Sequence, residues 1–358
     1  MRSDCPMKIA LVAPSLAILG GQGVQADTLA RLLEGEGYAI DFIPINPSFP
    51  RGLKWLRRVP FARTLLNEAL YVWSLRRVRR CEVVHIFTAS YWSFLLTAAP
   101  AILAARLCGK RMVLNYHSGE ADDHLTRWGV WVHPWLRNGG ALVVPSEYLR
   151  AIFARHGHPA RVVPNALSLT SFAFRERRPL SPRLLSTRNL EPHYGVDDVI
   201  EAFALVRRRW PEATLEIAGT GSEEGRLHAL ARARCPQGVR FLGRVEPARV
   251  PALYERCDIY VNGSLIDNQP LSLLEAFAAG MPVVSTPTGD IAAMIESGES
   301  GLLVPARSPA AIAAAIERLL GDPDGAARMA RRARERVETH AWPQVKQGWA
   351  QVYAGAAA

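Results

Sequence analysis

A parallel, doubly wound α/β fold, built twice over, is what this chain predicts, and three features predict it. Short apolar runs alternate with helical segments, the alternation restarts after Asn165, and 358 residues exceed one ordinary core. Two Rossmann-like domains of about 170 residues each, over 1–170 and 171–341 with a cleft between them, account for all three. The hydrophobic share of 49% and the charged share of 21% are those of a water-exposed globular chain.

Taken in order, Lys8–Val12 is a short apolar strand, and the loop Pro14–Gly23 leads into a helix through Gly37. Within that loop, Gly20 and Gly21 would let backbone approach a phosphate at a helix amino end, although a plain βα turn reads the same way. Strands are expected at Ile40–Ile45, Val83–Phe87, Met112–Tyr116 and Ala141–Pro145. In the second half they fall at Leu184–Thr187, Thr214–Ala218, Arg240–Leu242, Ile259–Asn262, Val283–Thr286 and Leu302–Val304. The Arg- and Pro-containing stretch Arg175–Pro182 is the expected linker. Ser308-Pro309 supplies a cap residue and a first-turn proline to a helix over Ala310–Leu320.

Five scattered cysteines (Cys5, Cys81, Cys108, Cys235, Cys257) form no C-x2-C pair and read as reduced thiols of a cytosolic protein. The six residues before Met7 are too short and polar for a signal peptide. Ile86 to Ala105 carries no formal charge and approaches membrane-spanning length, but polar residues and Pro100 interrupt it. A buried strand, a turn and a core helix fit it better.

The net charge of +10 is concentrated. Residues 51–80 hold nine Lys or Arg (Arg51, Lys54, Arg57, Arg58, Arg63, Arg76, Arg77, Arg79, Arg80) against the single acid Glu68. Trp55, Phe61, Leu65, Trp73 and other large apolar residues are interleaved with them, which suits an anionic membrane surface. Lys54, Trp55, Arg57, Arg58, Arg76 and Arg77 are the expected membrane contacts. A basic helix packed on its own domain is the alternative. Nucleic acid is not expected, because no groove-reading motif accompanies the charge.

Asp267 and Glu275 form the most informative pattern in the chain. The first ends a loop; the second lies on a helix that closes at Gly280 and leads into a strand at Pro282–Thr286. Both acids then stand at the carboxyl edge of a parallel sheet, where open α/β sheets bind ligands. Backbone N–H groups at Asn268, Gln269 and Leu271 lie between them, at a helix start that favours anions. Carboxylates for sugar hydroxyls beside amides for phosphate suit a nucleotide-sugar, although an ordinary βαβ turn with two surface acids has the same spacing.

Other motifs are weaker. Gly219-Thr-Gly221-Ser-Glu-Glu-Gly225 misses the dinucleotide fingerprint by one residue, and the next strand, Arg240-Phe-Leu-Gly-Arg244, ends without a ribose-binding acid. His117 ends the fourth strand, where it could donate to a sugar hydroxyl, poise a proton or be structural. Nine histidines show no metal spacing, and Asp322-Pro-Asp324 reads as a turn and cap, so no metal is expected.

About ten segments in this order resemble a family 4 glycosyltransferase of the GT-B fold. They include the Gly-Gly turn, His117, Val143–Arg150, Val163-Pro-Asn-Ala166 with Phe172, Ser186–Pro192, Gly195–Phe203 and Ile217–Gly221. Phe241–Val245, the D-x7-E segment, Gly301–Pro305 and a closing helix over 342–356 complete the set. The resemblance implies that the first domain binds acceptor, the second binds nucleotide-sugar, and the closing helix packs back on the first. Gly20 and Gly21 would meet the donor phosphate, His117 the transferred sugar, and Arg188 the diphosphate. Asp267 would hold sugar hydroxyls and Glu275 the ribose, with Gly243 and Arg244 near the base. His117, Arg188 and Asp267 would carry the chemistry.

Three positions depart from the family pattern. Tyr194 stands where a phosphate-binding lysine is usual, Asp267 is one methylene shorter than the usual Glu, and Pro270 replaces a glycine. Arg244 is the candidate to compensate for the lysine. The implied activity is retaining, metal-independent transfer from a UDP- or GDP-sugar, with no cofactor, to a lipid-linked or membrane-proximal glycan acceptor. The enzyme would be cytoplasmic and peripheral at the inner face of the membrane. The departures keep a non-catalytic nucleotide-sugar or glycan binder as the alternative; a sugar-nucleotide epimerase would have no use for the 51–80 face.

Overall fold

The computed structural model describes residues 6–17 and 20–355, with backbone alone at positions 54, 56–58 and 60. The chain divides into two compact units, residues 1–166 with 345–358 and residues 167–344.

Unit 1 is a six-stranded parallel sheet: β1 (Lys8–Ala13), β2 (Ala39–Pro44), β3 (Val83–Thr88), β4 (Arg111–Tyr116), β5 (Ala141–Val144) and β6 (Arg161–Val162). Strand β6 was not anticipated; at two residues it is too short to show a pattern. The order β2-β1-β3-β4-β5-β6 reverses between β1 and β3. Helices cover both faces, so β3 is buried along its whole length and reads as an apolar run instead of an alternation. The helix Gly21–Gly35 begins two residues before the end of the expected loop.

The uncharged run after Ile86 resolves into the end of β3, a tight turn and a helical stretch ending at Leu107, burying Phe94, Ala98, Ala101, Ile102 and Ala105. Among the described residues no helix is long and apolar enough to cross a membrane.

The basic stretch does two things at once. Its helix Pro60–Ser74 packs Tyr71 into the core, with Leu75 and Val78 just beyond, and the Tyr71 hydroxyl donates to the Thr97 carbonyl at 2.6 Å. Arg77 pairs with Asp41. The opposite side stays open: Trp55 is 63%, Phe61 87% and Trp73 61% exposed, and the Arg76 guanidinium lies 3.2 Å from the Trp73 ring centre. The side chains of Lys54, Arg57 and Arg58 lie outside the described residues.

Within unit 1 the end of the helix Trp342–Ala354 buries Trp349 and Tyr353. The Tyr353 hydroxyl meets His85 Nδ1 at 2.8 Å, and Arg111 donates to the Tyr353 carbonyl at 2.6 Å.

Unit 2 repeats the plan with β7 (Arg183–Ser186), β8 (Thr214–Ala218), β9 (Val239–Gly243), β10 (Ile259–Asn262), β11 (Val283–Ser285) and β12 (Leu302–Leu303). All pairs are parallel, in the order β12-β11-β10-β7-β8-β9, which reverses between β7 and β10. The loops leaving those two strands therefore flank a switch point, where such sheets accept ligands.

One expectation is corrected here. Arg175–Pro182 is no linker; it belongs to unit 2 and is packed there. Arg177 is 3% exposed and donates to the carbonyls of Tyr254, Cys257 and Ala279, two of them closing the ends of the helices Val250–Arg256 and Leu271–Ala278. Asp258, fully buried, accepts from Arg175, Arg183 and the Ser181 N–H. Arginines that composition assigns to solvent are here the groups that satisfy orphan helix-end carbonyls. Ser308 precedes the helix Pro309–Gly321 but makes no capping bond; Asp322 does cap the next one, accepting from Gly325 N–H at 2.8 Å.

Candidate active site

The loops leaving β7 and β10 bring Arg188, Asp267 and Glu275 together. Two glycines shape the approach. Gly195 sits at φ +57° against the backbone of Gly263, and Gly289, also at φ +57°, against the Asp267 carbonyl. A side chain at either would run into that carbonyl, and both lie in the left-handed region that favours glycine.

Arg188, 9% exposed, forms an ion pair with Asp267 and donates to Ser272 Oγ at 3.1 Å. Its guanidinium lies 4.2 Å from the centre of the Tyr194 ring, while its Nε is buried with no hydrogen-bond partner among the described residues. Burial alone would lower its pKa, but Asp267 and the surrounding tyrosines outweigh that and leave it raised. Tyr194, occupying the position of the usual lysine, thus does not add a charge. It supplies a face on which the Arg188 guanidinium rests.

Glu275 lies on the helix Leu271–Ala278, which Pro270 precedes. The N–H groups of Leu271 and Ser272 head that helix with no acceptor inside it. Burial pushes the Glu275 carboxyl up to about 7, partly offset by a hydrogen bond from Tyr254 and by the Arg188 charge. The Tyr254 hydroxyl stands 2.7 Å from Glu275 Oε2. Asn268 N–H is taken up by Asp267 Oδ1 at 2.9 Å, and Gln269 Nε2 donates to Asp290 at 3.3 Å.

Gly243 and Arg244 end edge strand β9, where the Gly243 carbonyl accepts from Gly219 N–H at 2.9 Å and Arg244 lies 3.5 Å from Glu246. In unit 1, nothing described occupies the place of a Cβ at Gly20 or Gly21. Neither has a left-handed φ, so neither packing nor conformation asks for glycine there. His117 follows β4; its ring stacks on Phe87 at 5.0 Å, which stacks on His85 at 5.1 Å. His117 Nε2 is buried without a partner among the described residues, and burial lowers its pKa to about 4, so the ring is neutral at neutral pH. No group of three or more His, Cys, Asp or Glu among the described residues could hold a metal ion.

Sequence reasoning did not find Tyr254, Thr187 or Ser272. Thr187 sits beside Arg188 and Ser272 inside the D-x7-E segment, so proximity was a usable signal for both. Tyr254 comes from the helix Val250–Arg256, and nothing in its local sequence marks it.

Comparison with known proteins places this geometry. The family model described as glycosyl transferases group 1 matches residues 171–336, and that described as Glycosyltransferase Family 4 matches residues 19–171. A glycogen synthase of Mycobacterium tuberculosis is 33% identical over 293 residues, covering 77% of this chain and 69% of that protein. A phosphatidyl-myo-inositol mannosyltransferase of Mycobacterium leprae is 26% identical, covering 97% and 96%. Among solved structures, an Anabaena protein in complex with UDP-glucose superposes with a TM-score of 0.75 at 18% identity, over 97% of this chain and 99% of that one. Two parallel six-stranded sheets, two family models that abut at residue 171 and relatives of one enzymatic class lead to one conclusion: the chain belongs to the group 1 glycosyltransferases of the GT-B fold and is a nucleotide-sugar-dependent glycosyltransferase.

Proposed function

We propose that the enzyme transfers a sugar from a UDP- or GDP-sugar, with retention of configuration and without a bound metal, to a lipid-linked or membrane-proximal acceptor. The observation that carries the donor reading is the Arg188–Asp267 pair beside Glu275 at the switch point of the second sheet. An arriving diphosphate competes with Asp267 for Arg188, and the freed carboxylate then accepts sugar hydroxyls. Glu275 takes the ribose hydroxyls. As the nucleoside diphosphate departs, negative charge grows on its oxygens, and a fixed guanidinium with the helix-start amides meets that charge without reorganising. No covalent nucleophile is needed. The UDP-glucose bound by the Anabaena protein supports the donor class.

The donor reading is tested by thermal shift with UDP-, GDP-, ADP- and TDP-sugars, on the wild type and on Glu275→Gln. One donor at a hundred times its Kd should add about 2.7 kcal/mol of stability, and Glu275→Gln should lose that gain. Equal stabilisation of both proteins would remove Glu275 from the site.

The acceptor reading rests on the open aromatic and basic side of residues 51–80, and the lipid in the name of the Mycobacterium leprae relative supports it. Exposed rings beside arginines settle into the headgroup layer of an anionic membrane, which would hold the enzyme, in the cytoplasm, at the inner face. Combining Trp55→Ser, Phe61→Ser and Trp73→Ser should abolish sedimentation with phosphatidylserine vesicles while donor-induced stabilisation persists. Undiminished vesicle binding would end this reading.

A further inference from the structure

We propose that Tyr254 is the positioning residue that keeps Glu275 an ionised acceptor for the donor's ribose, at the end of a hydroxyl relay from Thr187 through Tyr254. The inference rests on the reading of Glu275 as the ribose-binding acid.

The Tyr254 oxygen lies 2.7 Å from Glu275 Oε2, 2.7 Å from Thr187 Oγ1 and 3.1 Å from the Ser272 carbonyl. A phenol has one proton to give, and of these acceptors the carboxylate holds it most strongly. Tyr254 therefore donates to Glu275, and the Thr187 hydroxyl donates to Tyr254. The ring is fully buried and packed edge-on against Phe172 at 5.5 Å, so it keeps this place. Burial, with the neighbouring Glu275 charge, raises the phenol well above its ordinary pKa, so it stays a donor through the neutral range.

The relay starts one residue before Arg188, and Arg188 itself bonds Ser272 Oγ. One loop thus fixes both acids: Arg188 orients Asp267 directly, and Thr187 orients Glu275 through Tyr254. The other groups around Glu275 are few. Arg188 comes from the loop after β7 and is engaged with Asp267, and Tyr260 comes from β10. Arg177 and Arg334 sit at the far end of the Glu275 helix, on the carbonyls of Ala279 and Ala278. Only Tyr254 is seen to give Glu275 a hydrogen bond among the described residues.

A carboxylate accepts two ribose hydroxyls; a protonated carboxyl does so poorly. With the Glu275 carboxyl at about 7, donor affinity should rise as pH climbs through neutrality and fall below it. Removing the Tyr254 proton withdraws a bond made to the charged form, so the carboxyl moves higher still and affinity is lost on the acid side.

The test is calorimetric titration of UDP-glucose and GDP-mannose from pH 6 to pH 9 into the wild type, Tyr254→Phe, Thr187→Ala and Glu275→Gln. Tyr254→Phe should bind its donor about tenfold more weakly at pH 6.5 and within about twofold of wild type at pH 9. Thr187→Ala should shift the profile the same way by less, and it decides the matter if Tyr254→Phe does not fold. A loss of equal size at every pH, or none, overturns the inference. Unimpaired binding by Glu275→Gln overturns the ribose reading and the inference with it. Weak binding by Glu275→Gln with an unmoved Tyr254→Phe profile keeps the ribose reading and overturns the relay.

Discussion

Replacing Arg188 with alanine should lower the turnover of donor hydrolysis by on the order of 10²–10³, as loss of one preorganised donor to a developing oxyanion does elsewhere. The effect should be large because, among the described residues, the groups in contact with the Arg188 guanidinium are Asp267, Ser272 and Tyr194, none of them a cation. The position that would carry a lysine holds Tyr194, whose ring contributes a surface for the guanidinium and no charge of its own. Arg244 is held near Glu246 on the edge strand. Arg188→Lys should recover little, since an ammonium cannot span Asp267 and Ser272 while lying flat on Tyr194. The measurement is release of nucleoside diphosphate at saturating donor, with melting temperature followed in parallel. Turnover within about threefold of wild type in a folded Arg188→Ala protein would assign the leaving-group charge to some other group.

The second large effect is on stability. Asp258→Ala should destabilise unit 2 by about 3–5 kcal/mol, the usual result of removing one partner from a buried ionic cluster. Asp258 is fully buried and binds Arg175 at 2.6 Å, Arg183 at 2.9 Å and the Ser181 N–H at 3.2 Å, with Arg177 at 3.7 Å. Burial already lowers Arg177 to about 10, with Arg175 adding to the strain and Asp258 opposing it. Without that carboxylate, a guanidinium with almost no access to water loses its counter-charge. Urea unfolding of Asp258→Ala should show an earlier transition for unit 2. A change below about 1 kcal/mol would mean that the carbonyls of Tyr254, Cys257 and Ala279 suffice to hold Arg177.

Much of this was legible in the sequence, and the parts that were not share a cause. Eleven of the twelve strands could be placed because a strand buried on both faces, such as β3, declares itself as an apolar run. The positions of Asp267 and Glu275 followed from local order: loop, helix, glycine, strand. What local order cannot show is pairing across the fold. Arg188 and Asp267 are 79 positions apart, and nothing in either local sequence shows that the two side chains pair. Tyr254 reaches Glu275 from a different helix, and only the packing of that helix reveals it. The misread linker has the same origin. Composition sees arginine and proline and infers solvent, whereas Arg177 lies where helix ends expose carbonyls.

The chain's return to unit 1 has a consequence for how the protein is made. Unit 2 has all of its residues once Gln344 has been synthesised, whereas unit 1, begun first, still lacks the segment that carries Trp349 and Tyr353. Until that segment emerges, His85 on β3 is without its Tyr353 and Trp349 contacts. Completion of the first unit therefore waits on synthesis of the second, so the usual amino-to-carboxyl order of domain folding does not hold for it.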